Sequence, residues 1–463
     1  MPFPRRHDPS SHSRWRWLSA ALGGSLFLGG LSGLMGWIFQ QPMCLWAAGC
    51  LWLATMTVAL VHPQAKDYRF TLWILIANLA ALMVPGWFQK VGGLNLADPW
   101  LLLLLVQLIM FGMGTQMHVQ DFVNVLKMPG MVLLGVCCQF LIMPLVGYAL
   151  ARVFPFSPEI GAGIILIGSC SSGLASNVMT YMARGNLALS VTLTSITTML
   201  APIATPMWMG LLAGSMVELD IVKMSLDIVK MVLVPILAAF VHDFLTSKNN
   251  ALRLCVRVGA VFGLLWLVML GAGGWDWIID RLAIQENARW IGLVSLPGFV
   301  AAAFVFGVIY HVLIRLAPTI SLWMPRLSMF GIVYYTLVGT SQGRDQLLDV
   351  GFLLLIAVAL HNGLGYFLGY WSSRLLGASP LDARTIALEV GLQNGAMATG
   401  LARSMDKLGT VGLAAILFSP LMNISGSLLA NFWRRHPWPS PTNSHPDANI
   451  QTANRDDESP TGG

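Results

Sequence analysis

Long apolar runs, separated by short polar segments, recur along the chain from Trp17 almost to Trp433. A helix needs roughly 20 such residues to cross the hydrocarbon core of a bilayer. Backbone inside lipid must pair its own N–H and C=O groups, which favours helices over irregular chain. The pattern predicts an all-α polytopic membrane protein. Fourteen spans are predicted, at about 17–39, 43–62, 71–88, 98–118, 129–151, 159–183, 187–214, 224–246, 258–279, 290–316, 327–342, 350–374, 382–404 and 409–433.

The composition supports a lipid bilayer as the surrounding medium. The 463 residues are 56% hydrophobic and only 10% charged, whereas about 25% of the residues of a soluble domain are charged. The net charge of +6 does not indicate nucleic-acid binding, because the Lys and Arg residues occupy short loops and form no continuous basic face. The six cysteines include no C-x-x-C pair and no His at zinc spacing, so we interpret them as buried free thiols.

The positive charges predict an orientation. Arginines precede the first apolar run, and later basic loops alternate with loops that hold fewer Lys and Arg. The positive-inside rule then places both termini in the cytoplasm, in a protein of the inner membrane. Residues 1–16 are predicted to be a basic cytoplasmic segment, 17–39 an uncleaved helix and 434–463 a disordered cytoplasmic tail.

Charged residues also recur before the run at 224–246. Asp220, Lys223, Asp227 and Lys230 are spaced by three and four, which places them on one face of a helix. The spacing predicts a short amphipathic helix at the membrane surface. A charged translocation path is the alternative interpretation.

One apolar run is interrupted by GSCSSGLASNVMTYMARGN, at 168–186. Gly173 and the hydroxyl residues around it weaken helix continuity, so a broken helix is predicted. Such a break exposes hydroxyl and carbonyl oxygens, which suit an alkali cation. Ser190 and Thr194 of the next run are four apart and share one helix face. Close packing between helices explains the small residues equally well.

A second interruption, ALEVGLQNGAMATG at 387–400, contains a carboxylate. Glu389 lies several residues inside the run and is followed by Gly391, Gln393, Asn394 and Gly395. An unpaired carboxylate within the membrane either stays protonated or requires a cation. Packing explains the glycines but not Glu389, so we interpret this segment as a second broken helix with a functional role.

Four further polar residues, Gln139, His361, Asn362 and Asn423, are scattered through other runs. A single buried amide more often bonds to a neighbouring helix than to a ligand. We interpret His361 as structural, with a proton relay as the alternative.

Interrupted polar segments in both halves of a chain are typical of inverted-repeat transporters, whose site lies where the broken helices cross. An enzyme is not predicted, because the sequence holds no HExxH and no paired intramembrane aspartates. A membrane sensor without transport activity is a less favoured alternative. These patterns do not name a substrate.

Six strings, in order, resemble the bile acid:sodium symporter family. They are FGMGTQMHVQDF (111–122), QFLIMP (139–144), ASNVMTYMARGNLALSVTLTSITTMLAP (175–202), HNGLGYFLGY (361–370), EVGLQNGAMATGLA (389–402) and NISGSLLA (423–430). The resemblance implies a ten-helix core of two inverted five-helix repeats, in which a panel domain moves against a core domain. It places the first repeat and the start of the second in 71–246, and the remainder in 327–433. Four predicted spans lie outside this core, two in 17–62 and an inserted pair in 254–316.

The resemblance also implies two sodium sites and a substrate site. The first sodium site takes Ser176, Asn177, Ser190, Thr194 and Glu389. The second takes Gln139, Gln393, Glu389 and the backbone carbonyls of Val390 and Leu392. Glu389 bridges the two sites, and an organic anion binds beside Asn394 and Asn423.

Two departures from the family pattern concern the substrate. Where the family often has Pro-Gly-Gly-Thr, this chain has Ser171, Ser172, Gly173 and Leu174, and Met422 replaces a frequent His. The function implied is sodium-coupled symport, by alternating access, of an organic anion such as a bile-acid-like, keto-acid or pantoate-like carboxylate. Proton-coupled transport of an organic anion is the alternative.

Overall fold

The computed structural model describes residues 42–62, 69–282 and 288–436. The predicted basic segment at 1–16, the first predicted span at 17–39 and nearly all of the predicted tail lie outside these residues. Within the described part, the chain is almost entirely helical, as the apolar runs predicted.

Each span predicted for the described residues corresponds to one helix or to consecutive helical segments, and the short helix at Val119–Asn124 was not predicted. They are α1 (Pro42–Ala59), α2 (Arg69–Met83), α3 (Pro99–Gly114), α4 (Val119–Asn124), α5 (Pro129–Val153), α6 (Pro158–Ser169), α7 (Ala175–Met182), α8 (Leu187–Ala213), α9 (Ile221–Ile228), α10 (Val234–Thr246), α11 (Asn250–Met269), α12 (Trp275–Leu282), α13 (Ala288–Leu316), α14 (Ile320–Gln342), α15 (Arg344–Leu375), α16 (Pro380–Gly391), α17 (Gly395–Ser404) and α18 (Gly412–Arg435).

Seven helices among the described residues are long and apolar enough to cross a membrane. They are Pro129–Val153, Leu187–Ala213, Ile221–Thr246, Asn250–Arg281, Trp290–Leu316, Arg344–Leu375 and Gly412–Arg435. The apolar parts of α1, α2, α3 and α6 are shorter. This is the architecture of a polytopic membrane protein.

A short β-hairpin, which the sequence pattern did not predict, joins α2 to α3. Strand β1 (Lys90–Val91) pairs with β2 (Leu94–Asn95) in antiparallel register. Gly92 and Gly93 form the turn with φ of 55° and 87°, a left-handed conformation that glycine adopts without steric cost.

Both predicted helix breaks are confirmed. Helix α6 ends at Ser169 and α7 begins at Ala175, while α16 ends at Gly391 and α17 begins at Gly395. In each case a few residues of extended or turn conformation separate two helices of one span. The breaks fall where glycine, hydroxyl and amide residues interrupt the apolar runs.

The prediction of a separate surface helix around residues 220–230 is wrong. Helix α9 continues through a π-helical segment, Val229–Leu233, into α10, so Ile221–Thr246 is one long apolar helix. Pro235 explains the π segment, because proline lacks the N–H that an α-helix would use and its ring crowds the preceding turn. Met224 and Ile228 of α9 are buried, so this helix packs into the protein rather than lying on a surface.

The buried core surrounds the two breaks, whereas the two spans predicted to be an insertion lie at the periphery. Ile165 of α6, Leu388 of α16 and Phe418 of α18 are fully buried. Helices α11 and α13 pack on each other and on α10. Only 11% of the apolar window of Asn250–Arg281 is buried inside the protein, compared with 67% for Ile221–Thr246. The outer face of α11 is therefore apolar and exposed, as a helix that faces lipid would be.

Candidate functional site

The two helix breaks cross each other and are joined by backbone hydrogen bonds. The N–H of Gly173 donates to the carbonyl of Leu392 at 2.9 Å. The N–H of Asn394 donates to the carbonyl of Ser171, also at 2.9 Å. Backbone groups that the broken helices leave unpaired are thus satisfied across the crossing, which a buried position requires.

The crossing requires glycine at position 173. Ser172 and Gln393 are paired as an isolated antiparallel bridge, and a Cβ on Gly173 would lie 2.7 Å from the carbonyl oxygen of Gln393. Any larger residue would push the two chain segments apart.

Glu389 lies in the last turn of α16, and only 2% of its surface is exposed. Thr194 donates a hydrogen bond from Oγ1 to its Oε2 at 2.9 Å, and Ser190 donates from Oγ to its Oε1. Both donors come from one face of α8, as their four-residue spacing predicted. Among the described residues, no lysine, arginine or histidine forms a salt bridge with Glu389.

Helix α7 brings two more predicted residues to the same place. The side-chain oxygen of Asn177 lies 2.8 Å from Ser190 Oγ and 3.3 Å from Thr194 Oγ1, so it is within hydrogen-bond distance of the same two hydroxyls. Ser176 Oγ lies 3.3 Å from Thr194 Oγ1. Five side chains from three helices therefore lie together, and Glu389 is 199 positions from Ser190 in the sequence. We call Ser176, Asn177, Ser190, Thr194 and Glu389 the carboxylate cluster.

Gln139 and Gln393 meet on the other side of the α16 break. Gln139 Nε2 donates to Gln393 Oε1 at 2.8 Å and to the carbonyl of Cys170 at 3.0 Å. Gln393 Nε2 in turn donates to the carbonyl of Val390 at 2.5 Å. The Oε1 atom of Gln139 is buried and has no hydrogen-bond partner. This oxygen is therefore an acceptor that no donor of the described residues satisfies. We call Gln139, Gln393 and the Val390 and Leu392 carbonyls the glutamine cluster.

The two residues predicted to contact substrate are buried near the crossing and make local bonds. Asn394 caps α17 by accepting from the N–H of Met397 at 3.1 Å. Asn423 donates from Nδ2 to the carbonyl of Ser419, one turn earlier in α18, at 2.7 Å. Their exposed fractions are 4% and 7%. These hydrogen bonds fix the positions of both side chains. They do not include a contact with a substrate.

Two residues outside the predicted site support the crossing. Ser172 Oγ lies 3.2 Å from Ser176 Oγ and 3.3 Å from the Leu392 carbonyl. Asn362 donates from Nδ2 to the carbonyl of Gly391 at 2.7 Å, where α16 ends. In the sequence, Ser172 stood out because the family often has glycine there, and Asn362 stood out as an amide inside an apolar run. Neither signal identified the residue that each one contacts.

His361 occupies a structural position in α15. Its Nε2 donates to the carbonyl of Met143 at 2.9 Å, and its Nδ1 is buried without a partner. Gly147 and Gly168 leave room for the ring, since a Cβ on either would lie within 3.2 Å of it. The ring thus packs between three helices, and its hydrogen bonds do not include Glu389.

We predict that His361→Phe lowers stability without changing how transport depends on pH. The variant removes the side-chain hydrogen bond to the Met143 carbonyl, and a bond of this kind contributes about 0.5–1.5 kcal/mol. Thermal unfolding and uptake between about pH 5 and 8, the range in which His titrates, provide the measurements. His361→Gln, which keeps a side-chain donor, should recover part of the stability. Loss of the pH dependence in a folded His361→Phe protein would instead support a proton relay.

Comparison with known proteins places this geometry in context. The model of the sodium bile acid symporter family matches residues 103–275. The chain is 30% identical to the uncharacterized sodium-dependent transporter YocS of Bacillus subtilis over 367 residues, which are 79% of this chain and 91% of that protein.

Two relatives from eukaryotes have more specific names. The chain is 26% identical to the probable chloroplastic sodium/metabolite cotransporter BASS1 of Arabidopsis thaliana, over 80% of this chain and 75% of that one. It is also 26% identical to the ileal sodium/bile acid cotransporter of Homo sapiens, over 63% of this chain and 66% of that protein. These relatives are transporters and not enzymes.

Proposed function

Because the chain belongs to the sodium bile acid symporter family, a family of sodium-dependent multi-pass transporters, we propose that it couples sodium entry to uptake of a small organic anion. The observation that carries the proposal is Glu389, a buried carboxylate that accepts hydrogen bonds from hydroxyl groups and forms a salt bridge with no basic side chain of the described residues. An uncompensated charge within a membrane is costly. A bound monovalent cation removes that cost.

The carboxylate cluster is our candidate for the first sodium site. Sodium is a hard cation that prefers oxygen ligands, and Ser176, Asn177, Ser190, Thr194 and Glu389 all offer side-chain oxygens. Ser190 and Thr194 hydroxyl hydrogens point to the carboxylate in the hydrogen-bonded arrangement. On binding sodium, these hydroxyls would turn their lone pairs to the ion. The cation would then replace the two hydroxyl hydrogen bonds that Glu389 accepts.

The glutamine cluster is our candidate for the second sodium site. The unpaired Oε1 of Gln139 is a ready ligand. The carbonyls of Val390 and Leu392 accept from Gln393 Nε2 and from the Gly173 N–H, and a carbonyl oxygen has a second lone pair that a cation can use. Glu389 lies one residue before Val390 in the same helix end, so its charge acts on both clusters. The two sites would share one carboxylate.

We assign the crossing segments to two inverted repeats. In this assignment α2 to α8 form the first five-helix repeat, and α9, α10 and α14 to α18 form the second, with α11 to α13 as the insertion. Each repeat then contains one broken helix, α6–α7 in the first and α16–α17 in the second. Alternating access would move a panel domain against a core domain that holds both sodium clusters.

The organic anion is proposed to bind beside Asn394 and Asn423. Helix α17 begins immediately after Asn394, and the N-terminus of a helix favours a negative group. Relatives named for bile acid and for metabolites point to a carboxylate as the substrate class, whether bile-acid-like, keto-acid or pantoate-like. The alternation of basic loops supports placement in the inner membrane with cytoplasmic termini.

Sodium-dependent thermal stabilisation of the purified protein tests the coupling ion. A ligand that binds the folded state stabilises it by about 2.7 kcal/mol at 100 times its Kd, so the unfolding temperature should rise with sodium concentration. Potassium at equal ionic strength is the control and should give no graded rise. If sodium and potassium act alike, and a pH gradient alone drives anion uptake, the carrier is proton-coupled.

A further inference from the structure

Helix α13 of the inserted pair lines an apolar pocket that includes no residue of the helix breaks. The pocket has a volume of about 370 Å³ and lies between α3, α10 and α13. Its walls include Leu104, Leu108, Phe111, Pro235, Phe299 and Phe306. We call this space the seam pocket. None of the residues that line it comes from α7, α16 or α17, so it is separate from the candidate sodium and substrate sites.

The seam pocket has almost no polar wall. Gln107 is the one polar residue among those that line it, and its Nε2 donates to the backbone carbonyl of Lys230 at 3.3 Å. Its amide is therefore already engaged with the helix beside it. An apolar space of this size next to the hydrocarbon core offers water too few partners and is instead suited to an aliphatic chain.

A lysine lies beside this pocket. Lys230 precedes the lining residue Val234 by one turn, and its Nζ lies 5.5 Å from the centre of the Phe299 ring. Long side chains on a helix point toward its N-terminus, which carries the ammonium group away from Pro235 and along α13 toward Gly292. A Cβ on Gly292 would lie 3.7 Å from the Nζ atom. The ammonium group thus lies beside Phe299, one of the residues that line the pocket.

The charges around Lys230 leave room for an anion. Asp227, three residues earlier, attracts the ammonium group but also interacts with Ser404 of α17, on the core side of the helix. Lys223, one further turn back, adds a second positive charge to the same face. The arrangement therefore presents an apolar cavity beside a cationic group, which matches an amphipathic anion.

We propose that the seam pocket binds one acyl chain of a phospholipid whose phosphate is held by Lys230. The acyl chain would fill the space between α3, α10 and α13, and the phosphate would replace bulk water at the Nζ atom. A phospholipid fits better than the transported anion, because the lining residues Leu104 and Phe306 are exposed on the apolar outer surface and no lining residue belongs to the crossing. The bound lipid would fasten the inserted pair to the rest of the protein.

Quantifying phospholipid that co-purifies in mild detergent tests the site. We expect about one tightly held phospholipid per protein in the wild type and a several-fold loss in Ala302→Trp, which fills the pocket from α13. Val312→Trp, on an exposed position of the same helix, is the matched control and should keep the lipid. Equal retention in Ala302→Trp and Val312→Trp would overturn the proposal.

The role of the ammonium group is tested separately. A phosphatidylglycerol should raise the unfolding temperature of the delipidated wild type, whereas a diacylglycerol with the same acyl chains, which lacks the phosphate, should raise it less. Lys230→Gln should abolish this difference and Lys223→Gln should preserve it. Preserved sodium-dependent stabilisation in each variant shows that it is folded. An undiminished difference in folded Lys230→Gln would remove Lys230 from the site.

Discussion

Replacing Glu389 with glutamine is expected to abolish sodium-dependent uptake while leaving the protein folded. Glutamine keeps the size of the side chain and one carbonyl oxygen but removes the negative charge that the two proposed sodium sites share. Removing one partner of a buried charge pair costs about 3–5 kcal/mol, which corresponds to a loss of sodium affinity of about 100-fold or more. Uptake into proteoliposomes under a sodium gradient, beside sodium-dependent thermal stabilisation, measures both consequences.

The same variant should be more stable than the wild type when sodium is absent. Without the ion, the wild type buries a carboxylate that only hydroxyl groups solvate, and neutralising it removes that cost. Glu159→Gln is the matched control, because Glu159 pairs with Lys407 away from the crossing and should leave sodium-dependent stabilisation intact. Wild-type sodium dependence in Glu389→Gln would remove Glu389 from the ion sites.

The helix breaks were predictable from sequence because their chemistry is local. Gly173 and its hydroxyl neighbours, and the Gly391–Gly395 region, weaken helical structure wherever they stand in an apolar run. The cost of a carboxylate in the membrane singled out Glu389 in the same way. Each inference used neighbouring residues only, and the structure confirmed the breaks at both places.

The partners of these residues were not predictable from local patterns. Gln139 and Gln393 are separated by 254 positions, yet their side chains are 2.8 Å apart. Their contact depends on how two broken helices cross, so only the family resemblance had placed them together. Asn362 is a further example, since its role depends on the Gly391 carbonyl that the break exposes.

The error at residues 220–230 has a different origin. Charges spaced by three and four predicted a surface helix, but the apolar residues between them are as regularly spaced. Met224 and Ile228 are buried, and a π segment carries the helix past Pro235 without ending it. The spacing of the charges identified a helix but not its extent, because the charged segment and the apolar run at 224–246 form one continuous helix. The same helix face then places Lys230 at the seam pocket.

Replacing Gly173 with alanine is expected to disrupt the crossing and reduce transport at least about tenfold. The added Cβ would lie 2.7 Å from the carbonyl oxygen of Gln393 and 3.5 Å from the Cα of Asn394. Because the obstacle is backbone, relief requires the two segments to separate, which weakens the hydrogen bonds to Leu392 and from Asn394. Overpacking of this kind costs about 1–3 kcal/mol. Thermal unfolding and sodium-driven uptake should therefore both decline.

Gly363→Ala is the matched control, since that glycine lies inside α15 and a Cβ there meets nothing within 4 Å. Alanine in an open helical position should raise stability by up to about 1 kcal/mol and leave uptake unchanged. The contrast separates the effect of the crossing from a general effect of removing glycine from a membrane helix. If Gly173→Ala behaved like Gly363→Ala, the close approach of the two breaks would not be needed for transport. Sodium affinity is the last measurement. If Gly173→Ala lowers sodium affinity and Gly363→Ala does not, the crossing sets the geometry of the ion ligands.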